Sequence, residues 1–78
     1  MNIETVKKEL DRYLGYAKKH EDFESIYCFN VAFGLIEMAS AIAYDMKNYE
    51  LVNEISGLWN DNYRNLFLAE YRKELENK

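Results

Sequence analysis

The chain has 78 residues, no proline, three glycines, one cysteine and a formal charge of −4. A chain this short holds one core, so residues 1–78 are expected to form a single domain. The lone Cys28 excludes the disulfide-stapled secreted miniproteins and points to a reducing compartment. Fourteen Asp and Glu against ten Lys and Arg weigh against nonspecific phosphate binding, while 49% hydrophobic and 31% charged residues is the balance of a folded chain.

The first segment places Ile3, Val6, Leu10, Tyr13, Leu14 and Ala17 at helical spacing, within a stripe roughly 100° wide. This predicts an amphipathic surface helix. Asn2 is placed to cap its start, and Glu4–Lys8 and Lys7–Asp11 are placed to pair along its outer face. Met1-Asn2-Ile3-Glu4-Thr5 lacks the basic-then-apolar order of a signal peptide, so a cytoplasmic location is expected.

Lys18-Lys19-His20 followed by Glu21-Asp22 marks one helix ending and another beginning, with Asp22 as the candidate N-cap. The second helix is expected to run to about Lys47, where Asn48 closes it in the left-handed conformation. Sixteen of the 21 residues from Ile26 to Met46 are apolar, leaving a polar stripe of Asn30, Gly34, Glu37, Asp45 and Asn48. An apolar arc of roughly 220° is wider than a surface helix needs, which predicts a central helix covered on two sides. Cys28, Ala32, Ala39 and Ala43 run along its middle, where small side chains admit a close neighbour. Val31, Leu35, Met38 and Ile42 flank them on one side and Phe29, Phe33 and Ile36 on the other. Such a run is also long enough for a bilayer. However, Asn30, Glu37 and Asp45 are expensive in lipid and no basic cluster precedes it, so a soluble core helix is the preferred reading and no membrane partner is expected.

The third segment carries Leu51, Val52, Ile55, Leu58 and Trp59 on one face. Beyond Asn60-Asp61-Asn62 the apolar positions are Tyr63, Leu66, Phe67, Leu68, Tyr71 and Leu75, rotated by more than about 100° on an ideal wheel. Gly57 and the Asn-Asp-Asn triplet predict a kink or a break at residues 57–62, with one bent helix favoured over two short ones. The fold class expected is all-α: a three-helix bundle with a long apolar central helix, a kinked or broken third helix and antiparallel neighbours.

No phosphate loop, Cys-x-x-Cys pair or His-Glu-x-x-His helix is present, so no catalytic residue, cofactor or metal is expected. His20 reads as a helix-end residue, Cys28 as packing and Glu37 as a solvated position. Residues 1–21 carry a net +1, but acids are interleaved among Lys7, Lys8, Arg12, Lys18 and Lys19, so a solvated face is expected and not a nucleic-acid track. Glu70 to Glu76 likewise reads as solvated surface.

Aromatics make up 15% of the chain, more than a small bundle buries. Tyr63, Phe67 and Tyr71 form a ridge at helical spacing that either packs over the central helix or serves as a protein interface. The function expected is that of a small cytosolic helical protein-interaction module, self-associating or an accessory regulator, with a protein partner and a homo-oligomeric tendency. The alternative is an acidic mimic of nucleic acid that inhibits a nuclease or DNA-binding protein. The excess of Asn, Lys, Tyr, Ile and Phe over Gly, Ala, Arg and Pro points to a low-GC bacterium or its phage.

Overall fold

A computed structural model describes residues 1–19 and 23–77. The chain is all-α among the described residues, with three helices of which the last is bent. Helix α1 is Ile3–Lys19 and α2 is Ser25–Asp45. The third helix consists of α3, Tyr49–Leu58, a π-helical turn over Trp59–Tyr63, and α4, Arg64–Glu76.

Asn2 caps α1 as its chemistry suggests: its side-chain oxygen accepts from the Thr5 backbone N–H at 3.0 Å and from the Thr5 hydroxyl at 3.2 Å. Along the outer face the ion pair that forms is Glu9–Arg12 at 2.9 Å. Asp11, expected to pair with Lys7, instead accepts a hydrogen bond from the Tyr63 hydroxyl.

Helix α2 starts later than expected. Glu24 occupies its N-cap position without a side-chain bond, and Asp22, like His20, lies outside the described residues. The first turn is served from another helix, because the Ile26 N–H donates to Glu74 of α4 at 3.3 Å. At the other end the left-handed residue is Lys47, with φ 59°, and not Asn48. The Asn48 N–H returns to the Ala43 carbonyl and the Lys47 N–H to that of Tyr44, both at 2.9 Å. This is the paired Schellman closure that satisfies the last free carbonyls of a helix. Asn48 is thereby freed to cap α3, where its side chain accepts from the Leu51 N–H at 3.2 Å.

Cys28, Ala32, Ala39 and Ala43 are buried, as their small size allows, and they form the seam along which the other helices approach. Val6, Leu10, Leu14 and Ala17 fill it from α1. Leu51, Ile55, Trp59, Tyr63 and Phe67 fill it from the third helix. Chain direction follows from the contacts: Val6 shares a groove with Leu35 and Ile42, Tyr44 meets Tyr49, Phe29 meets Trp59, and Glu74 reaches Ile26. Both neighbours of α2 therefore run antiparallel to it.

The buried ladder of the third helix recurs every four residues from Leu51 to Phe67. In a regular helix such a ladder drifts by about 40° per step and would leave the core within four steps. The π turn at Trp59–Tyr63 accommodates one additional residue, turning the downstream face back by about 100°. This accounts for the rotation read from the apolar pattern: the bend is a single bulge within a continuous helix.

Candidate functional site

Of the three ridge residues, Tyr63 and Phe67 face the core and only Tyr71 stays half-buried at the surface. An interface at Tyr63 and Phe67 is thus corrected to interior packing, because the π turn brings them into line with Ile55 and Trp59. Phe67 lies 6.0 Å from the Trp59 ring. The Tyr63 hydroxyl donates to the Asp11 carboxylate at 2.5 Å, tying the third helix to α1. Burial first, then this bond, pushes the Tyr63 hydroxyl well above its ordinary pKa.

The other candidate chemical groups are structurally placed. Cys28 is fully buried, and burial together with the nearby Glu74 carboxylate raises its thiol pKa, which opposes nucleophilic reactivity. Glu37 is exposed. Glu70, expected on the solvated surface, is only 7% exposed and bonds Lys73 at 3.2 Å. Glu74 is half-buried at the start of α2, so the C-terminal acids are partly structural. Among the described residues, no three His, Cys, Asp or Glu side chains converge as metal ligands.

What stands out on the surface is α2 itself. The expectation of cover on two sides is met only along the small-residue seam: Met38 is 64% exposed, Phe33 47% and Ile42 42%. The cause is geometric. Alanines let α1 and the third helix converge on one narrow strip, and two helices converging there do not reach around to the bulky flanks. On the Phe33 side Trp59 offers partial cover, with ring centroids 6.3 Å apart. On the opposite side Leu35, Met38, Ala39 and Ile42 of α2, with Met1, Thr5, Val6 and Glu9, line an almost wholly apolar groove of about 150 Å³. Its one acid, Glu9, is already paired with Arg12.

Comparisons with protein-family models, characterised proteins and solved structures find no significant match. The groove and the exposed flank of α2 are therefore the features from which a function has to be argued. The signal for them lies in the sequence, as the stripe Val31, Leu35, Met38 and Ile42, whose bulk predicts contact with a neighbouring helix without saying whose.

Proposed function

We propose that the protein is a non-catalytic, cytosolic protein-interaction module: a three-helix bundle built around α2, binding its partner through the exposed apolar flank of that helix. The observation that carries this reading is the groove beside Met38 and Ile42, which joins exposed large apolar side chains to a preformed concavity free of unpaired charge. Contiguous exposed apolar surface of this kind marks binding sites more often than it marks idle surface. The shape adds support. The radius of gyration is 13.1 Å and the extents are 44 × 20 × 16 Å, whereas a compact domain of this length has a radius near about 11.5 Å. An elongated rod covers its own core poorly and offers a long side to a partner.

The test is photocrosslinking from position 38 in the native host, with a probe at exposed Asn53 on α3 as control. A discrete adduct from position 38 alone supports the reading, and no adduct refutes it.

One observation favours a second reading. Helix α2 is long and apolar enough to cross a bilayer, and 28% of its most apolar stretch is buried inside the protein. Against a bilayer stand Asn30, Glu37 and Asp45 on the same helix, each costly in hydrocarbon. Extraction of cell membranes with alkaline carbonate separates the two, since a spanning chain stays in the pellet. An acidic nucleic-acid mimic draws less support, because the exposed Glu4, Asp11, Glu24, Glu37, Asp45, Glu50, Glu54, Asp61 and Glu76 are spread along every helix of the chain.

A further inference from the structure

Resting on the interaction-module reading, we infer that the occupant of the groove is a second copy of this chain, paired antiparallel along α2 about a two-fold axis near Met38 and Ala39.

The groove has the form that helix pairing requires. The groove runs between α1 and α2. Its α2 wall, Leu35, Met38, Ala39 and Ile42, stands at positions i, i+3, i+4 and i+7, the spacing that receives one knob in knobs-into-holes packing. Small, buried Ala39 lies at its floor, with Thr5 and Val6 of α1 on the other wall. The knob that fits is on the same stripe: Met38 is unbranched, flexible and 64% exposed. A two-fold operation about the groove lays Met38 of each copy over the hole of the other, with Leu35 facing Ile42. Hole and knob belong to one surface, which is the condition for an isologous dimer.

Charge and area point the same way. Two copies of a chain with net charge −4 repel wherever their acids meet; beside the groove Glu9 is paired with Arg12, and the acid that borders the stripe is exposed Asp45, seven residues from Met38. Parallel pairing would set Asp45 beside its own copy and align two helix dipoles in the same sense. Antiparallel pairing avoids both. Helix α2 is about 32 Å long and the molecule is 20 Å wide. Side-by-side docking thus covers about 600 Å² on each copy, at the lower end of what specific stable interfaces bury.

Sedimentation equilibrium from 1 to 100 µM tests the inference. The expected result is a monomer–dimer equilibrium, with a mass approaching twice 9.3 kDa at the upper end. M38E should raise the dissociation constant more than about 100-fold, because two like charges then meet near the axis, and I42E should weaken the dimer more than about 10-fold, because each new carboxylate is then buried against the partner's Leu35. Both positions are exposed, so the far-UV circular dichroism of the monomer should be unchanged. Orientation is read by disulfide trapping: L35C mixed with I42C cross-links, while neither does so alone. A monomer throughout the range overturns the inference, as does a dimer indifferent to M38E or self-linking of L35C. Crosslinking from position 38 to a different protein, with a monomer in solution, would remove the second copy and keep the interaction module. Silence in both experiments would remove both.

Discussion

If the π turn at Trp59–Tyr63 absorbs one surplus residue, the third helix should respond oppositely to losing a residue there and to gaining one. Asp61 is exposed and sits within the turn. Deleting it lets the turn relax to regular helix while Tyr63 and Phe67 keep facing the core, so stability should change by no more than about 1 kcal/mol. Inserting one alanine between Asn60 and Asp61 adds a second surplus residue, which a single π turn has no room to absorb, and rotates α4 by about 100°. That rotation carries two buried aromatic side chains toward water. At about 1.5–3 kcal/mol each, the loss is about 3–6 kcal/mol. A lone core of this size supplies about 3–5 kcal/mol in all, so the insertion variant should be largely unfolded at 25 °C. Urea denaturation followed by far-UV circular dichroism and by Trp59 fluorescence reads both variants, with Asn60→Ala as the neutral control. Equal damage from deletion and insertion would refute the reasoning, and so would equal tolerance of the two.

Three further substitutions have signs that the contacts decide. The Ser25 hydroxyl is fully buried and has no hydrogen-bond partner among the described residues; Ser25→Ala should therefore stabilise the protein by about 1 kcal/mol in urea titration. Lys47 holds φ 59° at the close of α2; glycine relieves about 1–2 kcal/mol of left-handed strain and costs about 0.5–1 kcal/mol in unfolded-chain entropy, so Lys47→Gly should raise the melting temperature by a few degrees. Tyr63→Phe should cost about 1 kcal/mol at neutral pH, since the Asp11 carboxylate it releases lies at the surface and regains water. It should also change the alkaline limb. The raised hydroxyl pKa means that the folded state holds its proton longer than the unfolded chain. Its contribution to stability is whole below about pH 10 and declines above it, and the phenylalanine variant should decline less steeply from pH 10 upward.

The helices and their order were legible in the sequence because the signals are local: an apolar period, an asparagine cap at Asn2, and three glycines with no proline. The seam of Cys28, Ala32, Ala39 and Ala43 was legible for the same reason, since small residues in a row on one helix have one structural use. Two kinds of information were not. The π turn is a hydrogen-bonding choice that a fixed-angle wheel presents as a rotated face, so the pattern at Tyr63 and Phe67 leaves packing and interface both open, and only the turn decides for packing. The cap on α2 comes from Glu74, 48 residues away from Ile26, and no local pattern announces a tertiary cap. Lys47 takes the left-handed position expected of Asn48 because one closing motif and the next N-cap share adjacent residues, and an asparagine oxygen that caps α3 is the better use of that side chain.

The width of the apolar arc on α2 was legible, but its meaning was not. An arc of roughly 220° states how much surface asks for cover without stating who supplies it. The alanines answer part of that question. By letting α1 and the third helix approach closely on one strip, they fill the core with few bulky groups and leave Met38, Ile42 and Phe33 outside it. A larger residue at Ala39 would push α1 outward, and it would also fill the hole between Leu35 and Ile42. The same small side chain therefore serves the internal seam and shapes the external groove. This couples the chain's own packing to its surface: a fold short of core residues keeps its centre tight, and in the proposed dimer the apolar surface thus displaced is where a second α2 adds what one 78-residue chain lacks.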